Sequence, residues 1–386
     1  MSAFRRVMAP TILICCAFFI CCTASAEEKP TAENVVEMDA SDFLPIVPVY
    51  FWDRWHSFVL DTGAGGTLLD SAFTNHLSYA SNFVFQTVHG VSGALPCFKG
   101  IPIYVGGNWS YPETLMGLDM TPLEELSGAT IDGILGENVL EEYVVIFDFK
   151  AKTISFQTNL PMPMQIGLPF KRGTNGYRAF PARLGSGEEV QLGVDTGFAG
   201  GEIMLNPDDW ARAFPKGPEK IRPLASADME GKLARSEQAR LPLLKIGEES
   251  YTNLVCDRLV NTNMPSQVGL SFLQDHRVTI DYPGDRVSLV RVRNSAASHG
   301  SMTGLGVKWI RGSAIVIYVG PKSAAEEAGI EKGDDITRIN GRTVWEYKRS
   351  EIYDLMEGNE GDVVELVILR GDQEPITARM RLKPEI

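Results

Sequence analysis

One twelve-residue pattern occurs twice in this chain, and the repetition limits its possible folds more than any other feature. The first copy is Phe58-Val59-Leu60-Asp61-Thr62-Gly63-Ala64-Gly65-Gly66-Thr67-Leu68-Leu69. The second is Leu192-Gly193-Val194-Asp195-Thr196-Gly197-Phe198-Ala199-Gly200-Gly201-Glu202-Ile203. In each, apolar residues run into Asp-Thr-Gly, then small residues, then apolar residues again. A carboxylate so placed is costly to ionise unless hydrogen bonds or a partner charge support it.

A second element follows each copy at nearly the same distance. Gly136 of Ile134-Leu135-Gly136 stands 75 residues after Asp61, and Gly269 of Gln267-Val268-Gly269 stands 74 after Asp195. From those glycines the copies align without a gap, Leu140 with Leu273, Val145 with Val278, Asp148 with Asp281 and Ile154 with Val287. Gly90 and Gly231 each lie 16 residues before a further matched pair, Gly106 and Gly247. The repeat unit is therefore a small lobe, and two lobes related by a pseudo-twofold axis would bring Asp61 and Asp195 together.

In chain order, Phe43 to Phe51 reads as a strand that Pro45 and Pro48 place at a sheet edge, and Trp55 to Leu60 reads as the strand feeding the first Asp-Thr-Gly turn. Gly90-Val91-Ser92-Gly93, followed by a return strand from Ile101, reads as a hairpin that could cover a cleft, the flap candidate. His89 beside it reads as a solvated loop histidine, and no second His recurs in the repeat to make a metal site or a Ser/His pair. Arg291 to Thr303, poor in apolar residues, reads as a linker. Beyond it lies a compact α+β module. It has a strand at Ala314 to Val319, a short helix from Ser323 closed by Gly329, an Asn340-Gly341 turn, a helix near Ser350 to Met356, and strands at Val363 to Leu369 and Ile376 to Leu382.

The N-terminus has the pattern of a secretory signal cleaved after Ala26. Arg5 and Arg6 precede the apolar run Thr11 to Ile20, and Ala24-Ser25-Ala26 precedes Glu27. Its removal would take the formal charge from -13 to -15, a balance that disfavours nucleic acid as a partner. It would also remove four of the six Cys, leaving Cys97 and Cys256, which do not occupy equivalent places in the repeat. An exported protein can carry a disulfide, and the residues leave open whether these two pair.

The two Asp-Thr-Gly copies with their apolar-apolar-Gly elements resemble the retropepsin-like aspartic proteases, in the bacterial form with both lobes in one chain. The resemblance spans Phe43 to Val290. It implies a mainly β fold of two lobes, at 43–160 and 161–290, after a leader at 27–42. It implies a catalytic pair, Asp61 and Asp195, with Thr62 and Thr196 locking the two loops and Gly63, Gly197, Gly136 and Gly269 supporting them. It implies no cofactor and no metal. Three positions depart from the pattern: Gln267 stands where an apolar residue is usual, and Ala64 and Phe198 follow the glycines without a hydroxyl. The chain from 304 to 386 resembles the PDZ domains attached to bacterial exported proteases, with Gly304-Leu305-Gly306-Val307 as the carboxylate-binding loop. Together the resemblances lead to an expectation: an exported, periplasmic or secreted aspartic endopeptidase acting on polypeptide substrates, with C-terminal peptides bound at the PDZ domain. A catalytically inactive peptide-binding scaffold is the alternative, and the oligomeric state is left open.

Overall fold

A computed structural model describes residues 34–38, 44–86, 92–158, 167–173, 176–228, 230–259, 264–293, 302–310 and 312–384. The N-terminal 26 residues, Gly90 and Val91 of the flap candidate, and most of the linker lie outside the described residues. The protein is mainly β, with a C-terminal PDZ domain.

Each copy of the repeat forms a sheet around the same local crossing of strands. In the first, Gly133–Leu135 lies parallel to Arg54–Leu60 and antiparallel to Leu68–Asp70, with Ile134 opposite both Val59 and Leu68. In the second, Ser266–Val268 lies parallel to Glu189–Val194 and antiparallel to Ile203–Leu205, with Gln267 opposite Gly193 and Met204. Strands Thr114–Leu118 and Glu249–Leu259 then pair in parallel with Leu68–Asp70 and Ile203–Leu205. Gly133–Leu135 and Ile203–Leu205, buried throughout, are apolar runs, as parallel-paired strands often read in a sequence, whereas Ser266–Val268 is equally buried and carries two polar residues.

A third sheet joins the lobes. Val144–Asp148 pairs antiparallel with His276–Asp281, setting Val145 opposite Ile280 and Phe147 opposite Val278. The repeat equates Val145 with Val278 and Phe147 with Ile280, so exchanging the copies maps this register onto itself. The pseudo-twofold axis therefore passes between these strands. Phe147, Phe156, Phe180, Val278 and Ile280, all fully buried, carry one apolar core across the lobe boundary. At roughly 1.5–3 kcal/mol for each such side chain removed from water, that core binds the lobes as one body.

The strand Ile46–Phe51 corrects one expectation, since it lies inside its sheet and not at an edge. It pairs with Arg54–Leu60 along its length but meets Ile103–Val105 at one register position, Tyr50 with Tyr104. Pro48 pairs with Ser57 on the first side and is exposed. Its missing N–H is tolerated because the second neighbour does not reach it.

The C-terminal domain has its own core, including Met302, Val316, Ile336, Leu366, Ile368 and Met380. Its strands Leu305–Ile310, Ser313–Val319, Asp335–Ile339, Val363–Leu369 and Ile376–Arg381 form one sheet. Ser323 caps the helix Ala324–Glu327 by accepting the Glu326 N–H at 3.1 Å, and Gly329 adopts a left-handed φ of 75° after it. This domain is docked on the lobes. Lys308 meets Glu125 of helix Thr121–Ser127 at 3.0 Å, and the Tyr318 hydroxyl donates to the Pro223 carbonyl at 3.1 Å.

Candidate functional site

Asp61 and Asp195 each end a strand where the following turn exposes its amides. Asp61 Oδ1 accepts the Gly63 and Ala64 N–H groups at 2.8 and 3.1 Å, and Asp195 Oδ1 accepts those of Gly197 and Phe198 at 2.9 and 3.0 Å. The loops meet face to face. A Cβ built on Gly63 would lie 2.5 Å from Asp195 Cγ, and one on Gly197 would lie 2.5 Å from Asp61 Cγ. Glycine is required here because the opposite carboxylate occupies the space of a side chain.

Four hydrogen bonds lock the loops. Thr62 Oγ1 donates to the Val194 carbonyl at 2.7 Å and accepts the Thr196 N–H at 3.1 Å; Thr196 Oγ1 donates to the Leu60 carbonyl at 2.6 Å and accepts the Thr62 N–H at 3.1 Å. Gly136 and Gly269 back the loops from below. A Cβ on Gly136 would lie 2.3 Å from the Gly66 carbonyl oxygen, and one on Gly269 would lie 2.3 Å from the Phe198 ring. Matched amides complete the support: Glu137 N–H donates to Ala64 and Leu270 N–H to Phe198, both at 2.8 Å.

Burial raises both carboxyls above the ordinary carboxylate range. For Asp195, 8% exposed, the negative charge of Asp61 adds to burial and carries it well above, against the pull of the Gly197 N–H. For Asp61 burial again leads, opposed by the Gly63 N–H. Two carboxyls so close cannot both ionise cheaply, so they titrate as a pair that shares a proton. Such a pair can take a proton from a water and donate one to a carbonyl oxygen.

Beyond the loops the copies differ. The Gln267 amide nitrogen donates to Asp195 Oδ2, whereas its counterpart Ile134 has nothing to donate to Asp61. Asp257, buried beside Gly200 and Gly201, accepts the Gly201 N–H at 2.9 Å and the Gln238 amide at 2.6 Å. In the first lobe, Asn138 instead accepts the Thr67 N–H and hydroxyl at 2.7 and 2.8 Å. The sequence offered two signals that the halves differ, the polar residue at 267 and Phe198 in place of Ala64. Nothing in the spacing pointed to Asp257.

Of the remaining expected positions, Gly90 and Val91 lie outside the described residues. Ser92 and Gly93 open the strand Ser92–Lys99, which returns against Tyr79–Gln86. In the PDZ domain the strand Leu305–Ile310 carries a bulge between Gly306 and Val307, and the Leu305 N–H donates to Thr303 Oγ1 at 3.2 Å. The two cysteines are free and buried. His56 is held between Asp132 at 3.6 Å and Arg54 at 3.2 Å, while His276 bonds the Tyr251 hydroxyl and the Phe272 carbonyl at 2.9 Å. Among the described residues, neither is bonded to a serine hydroxyl.

Comparison with known proteins first places a domain. Residues 315–370 match the PDZ domain family. The chain is also similar to a probable CtpA-like serine protease of Staphylococcus haemolyticus, 32% identical over 77 residues. That stretch is 19% of this chain and 16% of the relative, so the chain spans under a fifth of the protein it matches. A relative bearing this name overturns the expectation of an exported aspartic endopeptidase as the function of the chain, and that assignment is withdrawn. The retropepsin resemblance rests on the motifs alone. The matched 77 residues are also fewer than the 134 that separate Asp61 from Asp195, so serine chemistry belongs to the relative and the matched stretch cannot contain the pair.

Proposed function

We propose that this protein is a hydrolase that acts on polypeptides, that the PDZ domain is a place where a polypeptide is held, and that Asp61 and Asp195 form an acid–base pair at the junction of the lobes. The relative's protease name and the PDZ match support the polypeptide. The mutual approach of the two Asp-Thr-Gly loops, with each glycine against the opposite carboxylate, supports the pair. The signal-like N-terminus supports export.

The chemistry follows from the arrangement. The ionised member of the pair can take a proton, and the protonated member can give one. Thr62 and Thr196 hold the loops in register, and the loop amides hold each Oδ1, leaving Asp61 Oδ2 clear of them and Asp195 Oδ2 to the Gln267 amide. In the PDZ domain, backbone amides from Gly304 to Val307 would receive a terminal carboxylate, with the peptide added as a strand along Leu305–Ile310.

Hydrolysis of an unfolded polypeptide by Asp61→Asn and Asp195→Asn, beside labelling of the wild type by a fluorophosphonate, tests this. Loss of hydrolysis in both variants without labelling supports the pair. A labelled serine, with hydrolysis intact in both variants, would transfer the reaction to serine chemistry.

A further inference from the structure

The two halves of the site are alike in backbone and unlike in one side chain. Each Oδ1 accepts two loop amides at matching distances. At the adjoining central strand the symmetry breaks. In the first lobe Ile134 lies opposite Val59, and both join an apolar cluster. In the second the same places hold Gln267 and Gly193. Glycine leaves open the volume that Val59 fills: a Cβ on Gly193 would lie 3.6 Å from Gln267 Cβ. The Gln267 side chain, in a residue 4% exposed, turns inward and its amide nitrogen donates to Asp195 Oδ2.

We propose that Gln267 is a positioning residue that makes the two carboxyls unequal, holding Asp195 as the ionised partner and leaving the shared proton on Asp61. This deepens the acid–base reading and rests on it. With the Gln267 bond in place, Asp195 accepts a side-chain donor beside its two loop amides, whereas the donors to Asp61, the Gly63, Ala64 and Gly197 amides, are all backbone groups. A proton on Asp195 Oδ2 would have to compete with the amide hydrogen for the same oxygen. Burial and the charge of Asp61 pull the other way and favour a proton on Asp195, the more deeply buried of the two. A charge-assisted hydrogen bond is worth about one to two pKa units, and this one acts on Asp195 alone. The groups facing the pair are few. The Tyr282 phenol lies in the field of Asp61 and is kept neutral by burial, and beyond it Glu137 and Arg178 neutralise each other at 2.7 Å. None of these distinguishes the two carboxyls as a direct bond does.

The test is a pH titration of the full chain carrying 13C at the aspartate side-chain carboxyl, with Asp61→Asn and Asp195→Asn assigning the two signals. It is repeated on Gln267→Met, which keeps the length of the side chain and removes the donor. In the wild type, Asp195 is expected to ionise in the lower step and Asp61 in the upper. In Gln267→Met the Asp195 step should move up by about one pH unit and the order should weaken or invert. If that variant does not fold, Gln267→Ile, the residue of the first lobe, is read in the same way. Asp195 ionising last in the wild type would overturn the proposal, because Gln267 would then be accepting from a protonated carboxyl. Unchanged titrations in the variant would overturn it too. The signals report protonation and not turnover. Failure here would leave the pair's catalytic assignment standing, and failure of that assignment would leave the titration readable.

Discussion

Replacing Thr196 with Val should weaken the lobes far more than a surface change, because one hydroxyl serves two backbone groups of the opposite loop. Thr196 is fully buried; its Oγ1 donates to the Leu60 carbonyl at 2.6 Å and accepts the Thr62 N–H at 3.1 Å. Valine keeps the shape but leaves a carbonyl and an amide without these partners inside the protein. Each orphaned group costs about 1–3 kcal/mol, so the expected loss is about 3 kcal/mol. Thr196→Ser keeps the hydroxyl and loses a methyl, for about 1 kcal/mol. Denaturant unfolding followed by tryptophan fluorescence gives both numbers, and Thr62→Val with the double variant completes a cycle. The Thr62 hydroxyl holds the matching pair of bonds, so the two losses should be non-additive by about 1 kcal/mol or more. If Thr196→Val lay within about 0.5 kcal/mol of Thr196→Ser, the locking role of these bonds would be refuted.

Three further outcomes follow from the site and its surroundings. Because Asp61 and Asp195 have raised pKa values in the folded state, the stability they contribute is complete below the unfolded carboxylate range and is lost as pH rises through their folded values. Asp195→Asn should therefore flatten that decline, and an unchanged difference between thermal unfolding at pH 4 and pH 7 would mean that folding does not raise the Asp195 carboxyl. Cys97 and Cys256 should resist a thiol reagent until the protein unfolds, both being buried and Cys256 held well above the ordinary thiol range by burial; rapid labelling of the native protein would contradict this. Glu125→Lys sets like charges against Lys308 and should speed hydrogen exchange in Leu305–Ile310, whereas adding Lys308→Glu should restore it; equal exchange in all three would mean that the salt bridge does not hold the PDZ domain to the lobes.

Part of this architecture was legible because it is written twice. The loop glycines and threonines act on the opposite lobe, Thr62 on the Val194 carbonyl across 132 residues, so Asp61, Thr62, Gly63 and Gly136 and their counterparts could be found by repetition and not from local contacts. The PDZ helix after Ser323 and its Gly329 stop were legible locally, as cap and left-handed residue adjoin the helix. What escaped depends on partners far along the chain. Gln267 reaches Asp195 across 72 residues, and its departure from the pattern was visible without its purpose. Asp257 supports Gly201 across 56 residues and carries no local signature. Pro48 suggested an edge strand because a sequence cannot show that a neighbouring strand stops short of it. The contact of Lys308 with Glu125 spans 183 residues, and the intervening composition suggested only a linker.

The central claim is that Asp61 and Asp195 form one proton-sharing unit. A crystal structure of the wild-type chain at mildly acidic pH tests it most directly, through the separation of the two Oδ2 atoms. Oxygens within hydrogen-bond reach of each other or of one shared water are the expected result. Two carboxylates that point apart, each with its own waters and its own counter-charge, would contradict it.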